Sequence, residues 1–330
     1  RASGSRPEIL ASRTRVQRLS ENVDPEADEP VLAAGPRLLP AADGPDAADA
    51  TDSAAPTRRV EIIAGLLRSR TFVVGAAIVL FWILDAAFWP FFVPHDPQAL
   101  NPVATLQAPS LVHWFGTDDL GRDVFARTLA GATSVLTIAP AATAFGIAGG
   151  VLVGLCTGYL RGIVDDVVMR VVDALLAFPL IVIAILVLAV LGPSELNVIL
   201  VIGFVFIPYV ARTVRTAALA EREREYVAAA RLIGESKARV MFTEILPNIT
   251  APLVVEITIR FGYAIFTSAT LSFLALGVQQ PSPDWGLTIN LGRASLEIAP
   301  WIVLFPAAAL ATLVVGVNLL ADGLSQGLRQ

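Results

Sequence analysis

Long apolar runs separated by short polar segments organise this chain from residue 71 onward. They cover residues 71–93, 133–159, 167–191, 196–214, 249–277 and 300–321. A helix needs about 20 apolar residues, at roughly 1.5 Å each, to cross a hydrocarbon core of about 30 Å. Every run reaches that length or nearly so, which predicts about six membrane-crossing helices. Lipid-exposed strands are excluded, because an open sheet leaves backbone N–H and C=O groups without partners in hydrocarbon. The expected fold is all-α, a polytopic membrane helical bundle over residues 71–330.

The start of the chain follows another pattern. Residues 1–57 are rich in Ala, Pro, Asp and Glu and poor in aromatics. Such a segment buries too little apolar surface to offset its ordering entropy, so a disordered acidic tail is expected. It also lacks the apolar stretch of a signal peptide. Residues 58–70 mix Arg58, Arg59, Arg68 and Arg70 with Val60, Ile62, Ile63, Leu66 and Leu67. That mixture fits an amphipathic lead-in helix on the membrane surface, and equally an extension of the first span.

Composition supports the membrane reading. Hydrophobic residues make up 55% of the chain and charged residues 16%, with a mean hydropathy of +0.67. Soluble domains carry about 25% charged residues. The net charge of −5 sits largely in the tail and gives no reason to expect a nucleic-acid partner. Arginine sets the orientation. Arg58, Arg59, Arg68 and Arg70 precede the first run, and Arg161 follows the second. Arg212, Arg215, Arg222, Arg224, Arg231, Lys237 and Arg239 lie between the fourth and fifth. The opposite loops hold only Arg122, Arg127 and Arg293. The positive-inside rule then places both termini and residues 225–248 in the cytoplasm.

Several chemistries are excluded. Cys156 is the only cysteine, so no intrachain disulfide forms, and its apolar run suits a packing role. His95 and His113 are the only histidines, too few with one cysteine for a structural zinc site, and no metal is expected. Asp96 beside His95 reads as an ordinary loop pair. The P-loop pattern G-x4-G-K-[S/T] is absent, since the only lysine, Lys237, is followed by Ala238. Any use of ATP therefore requires another chain, and no cofactor is expected on this one.

The polar stretch between the fourth and fifth runs carries the strongest motif. It reads Glu225-Tyr226-Val227-Ala228-Ala229-Ala230-Arg231-Leu232-Ile233-Gly234 and closes with Ile245-Leu246-Pro247-Asn248. Its alanines and charged residues favour helix, Gly234 permits a sharp turn, and Pro247 suits the first turn of the next span. The stretch resembles the cytoplasmic loop of ABC-importer permeases, E-A-A-x3-G-x9-I-x-L-P. Ala229 and Ala230 fall on the two alanines, and Leu246 and Pro247 on the closing L-P. Ala228 replaces the family glutamate, and Glu244 stands where isoleucine is common. Two outer segments are similar to the peptide/nickel branch of that family. Residues 115–124 read FGTDDLGRDV against FGTDxxGRDV. Residues 271–286 resemble LSFLGLGVQPPxPxWG, with Ala275 replacing a glycine. Residues 318–324 resemble NLLGDGL, with Ala321 replacing a glycine.

This resemblance implies a type I ABC-importer transmembrane domain of the DppC/OppC-like kind, in a bacterial cell membrane. It implies a non-catalytic permease that takes up di- or oligopeptides delivered by an extracytoplasmic substrate-binding protein. The implied partners are a second, DppB/OppB-like permease, two ATP-binding subunits carrying ATP and Mg, and the lipid bilayer. Glu225, Ala229, Ala230, Arg231, Gly234, Leu246 and Pro247 would form the ATPase-docking loop. The outer segments would either receive the binding protein or simply cap helix ends. The same architecture also serves nickel chelate, haem or glutathione. An ATP-independent secondary transporter is the other class, marked by broken helices or inverted repeats, and no internal repeat is visible.

Charges within the runs are the remaining candidates, because ionisable groups in a membrane are costly and tend to serve a pathway. Glu256 and Arg260 stand one turn apart in the fifth run and can pair on one helical face. They either line the translocation path or neutralise each other in the bundle. Asp173 near Arg170 reads as structural, and Asp85 lies in the first run. Gly146, Gly150, Gly154 and Gly158 recur at every fourth residue of the second run, a small-residue stripe for close helix packing, either within the subunit or against the partner permease.

Overall fold

The computed structural model describes residues 68–327, so the acidic segment and most of the amphipathic lead-in lie outside the described residues. Among the described residues the architecture is helical, with no named strand. Helix α1 spans Arg70–Phe92 and α2 spans Val124–Leu160. They are followed by α3 (Ile163–Leu176), α4 (Leu180–Leu191) and α5 (Glu195–Arg222). A polar connection containing α6 (Glu225–Leu232) leads to α7 (Thr250–Phe273), then α8 (Trp285–Gly292) and α9 (Trp301–Gly327).

Five of these helices are each long and apolar enough to cross a membrane, and α3 with α4 make a sixth, bent candidate. The third run is therefore not one straight span. Pro179 has no amide hydrogen, and its ring disfavours helix at Phe178, so the helix stops and restarts with an 88° bend. Neither half alone matches the core thickness, at about 21 Å and about 18 Å. Local capping sets the other boundaries. Asp123 accepts from the Ala126 amide at 2.9 Å and starts α2 well before the apolar run. Ser194 accepts from Asn197 at 3.1 Å and starts α5.

The glycine stripe of α2 lies against α5 in the same chain. A Cβ on Gly146 would sit 2.7 Å from Phe206 Cβ, and one on Gly158 would sit 2.8 Å from Ala218 Cβ. Gly150 and Gly154 face Val210 and Val214 in the same way. This is the close approach the spacing predicts, and it belongs within the subunit. The central core joins α2 and α5 to α1, α4, α7, α8 and α9 through Trp82, Ile138, Leu188, Phe206, Ile265, Trp285 and Leu313. A second cluster lies at the far end, where Leu155 and Tyr159 of α2 and Val214 and Ala218 of α5 meet the polar connection. Large apolar side chains remain exposed along α1, including Leu80, Phe81 and Leu84. A bilayer or a partner helix covers such a face without cost.

Candidate functional site

The connection between α5 and α7 folds onto the second cluster. Val227 and Ala230 turn inward, with Val240, Met241 and Ile245, against Tyr159 and Ala218. Ala230 thus packs within its own chain and only Ala229 stays exposed, although the sequence paired them as contact residues. Helical phase is the reason: residues three apart share a face, so Val227 and Ala230 face the bundle while Ala228, Ala229 and Leu232 face away. Glu225 is exposed at the start of α6. Gly234 closes α6 with φ +84°, a left-handed conformation that glycine adopts freely. The Glu235 amide donates to Ala230 O at 3.1 Å and the Gly234 amide to Arg231 O at 3.1 Å, the hydrogen bonding of a glycine-terminated helix.

This closure leaves Leu232 88% and Ile233 77% exposed in a polar segment. Exposed Arg231 places its guanidinium 4.9 Å from the Tyr159 ring. Tyr226 donates to Glu221 Oε2 at 2.8 Å. Burial, and then that bond to a carboxylate, push its phenol up to about 12, so it remains a donor at neutral pH. A π-helical stretch, Val240–Ile245, follows a single turn at Lys237–Arg239. Pro247 is exposed, Leu246 is partly buried, and α7 begins at Thr250.

Glu256 and Arg260 of α7 meet as their spacing predicts, with Arg260 Nε donating to Glu256 Oε1 at 2.7 Å. Thr213 of α5 also donates to Glu256 Oε2 at 3.3 Å. The guanidinium sits among aromatic rings, 4.9 Å from the centroid of Tyr209 and 5.4 Å from that of Tyr263. Arg260, Tyr209 and Tyr263 line an open cavity of about 410 Å³ with Pro179, Leu180 and Thr267. The pair and the α3–α4 bend therefore share one space. A larger cavity of about 640 Å³ lies between α1, α2 and α9, but its lining from Phe81 to Phe305 is apolar and offers nothing to a charged ligand. Elsewhere Asp173 pairs with Arg212 at 3.0 Å rather than with Arg170, and Asp165 pairs with Arg215 at 2.6 Å. Asp85 is buried, with one carboxylate oxygen unpartnered.

At the other end of the bundle most buried charges find partners within the chain. Asp118 accepts from Arg122 Nε at 2.6 Å and from the Leu120 and Arg122 amides at 2.9 Å. Arg127 is not a loop residue but lies fully buried in the first turn of α2. It donates to Pro97 O at 3.1 Å and to Ser282 O at 2.9 Å, joining the turn after α1 to the connection between α7 and α8. Trp285, also fully buried, donates to Thr128 O at 2.7 Å. Asp284 caps α8 at Leu287, and burial pushes its carboxyl up. Asp96 does not pair with its neighbour. It accepts from the Gln98 amide at 2.8 Å, while His95 and His113 both turn toward Asp123.

Comparison with known proteins matches this architecture. Residues 150–330 match the family model described as "binding-protein-dependent transport system inner membrane component". Residues 59–109 match the "N-terminal TM domain of oligopeptide transport permease C". The dipeptide transport system permease protein DppC of Alkalihalophilus pseudofirmus is 38% identical over 295 residues, covering 89% of this chain and 96% of that one. The glutathione transport system permease protein GsiD of Escherichia coli is 41% identical over 255 residues, covering 77% and 84%. Among solved structures, an inward-facing form of the MetNI methionine ABC transporter aligns with a TM-score of 0.51 at 18% identity. It covers 62% of this chain and 97% of that one, a likeness of fold.

Proposed function

This chain belongs to the family of binding-protein-dependent transport system inner membrane components, in its DppC/OppC-like branch, and on that premise we propose that it is the permease subunit of a peptide-importing ABC transporter. It is a multi-pass inner-membrane protein whose termini and residues 225–248 face the cytoplasm. A second permease completes the channel, two ATP-binding subunits hydrolyse ATP with Mg, and an external binding protein delivers a di- or oligopeptide. This chain performs no bond chemistry.

The observation that carries the coupling role is the pair Leu232 and Ile233, held out in a polar segment by the Gly234-terminated helix. Apolar side chains presented this way suit a groove on another protein. The same segment is anchored to α2 and α5 through Val227, Ala230 and Val240, so a push at α6 reaches the spanning helices directly. When ATP draws the two ATPases together, the docked segments move with them and the permeases switch their open side. Only contacts that differ between the two states drive such a switch. Arg260 lines the path and meets a carboxylate of the passing peptide, with Glu256 and Thr213 holding it in place.

Uptake of labelled dipeptide into proteoliposomes containing the whole transporter tests this reading. The expected result is uptake that requires both ATP and binding protein, and that is lost in Gly234→Asp at normal abundance. Peptide entry without ATP would overturn the ABC assignment. ATP hydrolysis without peptide entry would leave the architecture and refute the cargo. Glutathione is the second cargo to try, because the glutathione permease relative is as similar as the peptide ones.

A further inference from the structure

The two histidines of this chain lie in different turns of the outer segment, yet both rings converge on one carboxylate. His113 Nδ1 is 2.7 Å from Asp123 Oδ2, and His95 Nδ1 is 3.3 Å from the same oxygen. The two ring centroids are 4.9 Å apart, and one ligand atom from each residue lies within 4.8 Å of the others. We propose that His95, His113 and Asp123 form a site for a divalent transition-metal ion of the zinc class. The ion clamps the turn after α1 to the start of α2.

Ligand chemistry supports this class of ion. Two imidazoles and one carboxylate suit zinc and its neighbours, whereas calcium and magnesium require oxygen-rich sets. Metal–ligand bonds of about 2.0–2.1 Å place tetrahedral ligands roughly 3.3 Å apart. The His95–Asp123 distance already matches, the His113–Asp123 contact has to open by a fraction of an ångström, and the two imidazoles, whose ligand atoms lie within 4.8 Å of each other, have to settle at the same spacing. His95 is 37% exposed, so solvent reaches the site and a water can occupy the fourth position.

Supporting contacts fix each ligand, as metal sites require. Asp123 Oδ1 is committed to the Ala126 amide at 2.9 Å, leaving Oδ2 for the ion. His113 is anchored through its own backbone, whose amide donates to Ser110 Oγ at 3.1 Å and whose carbonyl accepts from the Gly116 amide at 2.9 Å. His95 stands in a turn between Pro94 and Pro97, and buried Arg127 holds Pro97 O. The second independent observation is His95 Nδ1 itself. That atom is shielded from solvent and has no hydrogen-bond partner, although it points at the shared carboxylate. The nitrogen has no well-aligned partner within the chain, and a cation between it and Asp123 Oδ2 would supply one. The helix cap alone explains Asp123, but it does not explain why two rings turn toward it.

The test uses the intact transporter in nanodiscs, with affinity tags removed, stripped of metal and titrated with Zn²⁺ against a chromophoric chelator. The parent is expected to bind one equivalent more than the His95→Gln complex, and His95→Gln is expected to weaken that site at least tenfold. Amide exchange over residues 93–99 should slow on adding Zn²⁺ to the parent, but not on adding Mg²⁺ and not in His95→Gln. His113→Gln should repeat the loss and guards against a local effect of the first variant. Equal Zn²⁺ binding by parent and both variants, or no slowing of exchange in the parent, would overturn the proposal.

Discussion

The two ends of the bundle are built on opposite rules. At the end bearing residues 94–123 and 277–285, charged groups are buried and paired: Asp118 with Arg122, and Arg127 with two backbone carbonyls. At the other end, some 55 Å away along the 37 residues of α2, apolar Leu232 and Ile233 project from a polar segment. The first end pairs most of its buried charge within the chain, although His95 Nδ1 and Asp284 Oδ2 lack partners there and Val103 and Leu111 stay exposed. The second satisfies its backbone at Gly234 but leaves Leu232 and Ile233 exposed. Buried, paired charge distinguishes the first end, and an apolar pair held out by a glycine-terminated helix distinguishes the second.

The largest test of that contrast is Arg127→Met. It removes a buried cation beside Asp118, 3.9 Å away, and strands the carbonyls of Pro97 and Ser282. Breaking a buried charged network costs about 3–5 kcal/mol. The expected outcome is a sharply lower melting temperature and loss of the protein from the membrane. A variant with parent-like thermal stability would show that this end is not held by Arg127.

The converse variant is Leu232→Asp with Ile233→Asp. Neither side chain packs in the fold, so stability should change by no more than about 0.5 kcal/mol. ATP-dependent uptake should fall at least tenfold, with the ATPase subunits no longer copurifying. Stability and coupling would thus separate cleanly between the two ends. Unchanged uptake would remove the docking role from α6.

Much of this contrast was legible in the sequence, for reasons that differ by residue. Span positions follow from apolar length, and the close packing of α2 from glycines at every fourth position, though the spacing does not say which helix meets them. The Glu256–Arg260 pair follows from helical spacing. The bend at Pro179 was written in the chain too, but the length of the apolar run hid it, and length alone does not report a break. A broken helix therefore does not separate secondary transporters from this fold. The inward turn of Ala230 depends on helical phase, which the three-residue spacing from Val227 carries. The convergence of His95 and His113 on Asp123 was not legible, because it depends on how an irregular loop folds back on the α2 N-terminus. Counting only His and Cys also left the third ligand out.

A smaller effect is expected at Gly234→Ala. Open space surrounds the position, so no clash follows, but φ +84° strains any residue with a Cβ. The cost is about 1 kcal/mol. Amide exchange should quicken at Ile233, Gly234 and Glu235 and stay unchanged at residues 118–127. Exchange that quickens at both ends would mean that they are not independent.

The smallest effect should come from Arg212→Gln, and its size sharpens the rule about pairing. Arg212 and Asp173 form a direct ion pair at 3.0 Å, but they are 62% and 55% exposed. Solvent screens such a pair and ordering two side chains opposes it, leaving about 0.2–1 kcal/mol before any loss to salt. The nearby Arg215–Asp165 pair is bidentate at 2.6 Å, with Asp165 only 9% exposed, so Arg215→Gln should cost more. Melting temperatures of the two variants at low and high salt decide the matter. Arg212→Gln should be nearly silent in high salt, and Arg215→Gln should remain destabilised. If both fade alike, burial is not what separates a structural ion pair from an incidental one in this protein, and the end bearing residues 94–123 would have to owe its order to backbone hydrogen bonds and packing instead of to its charges.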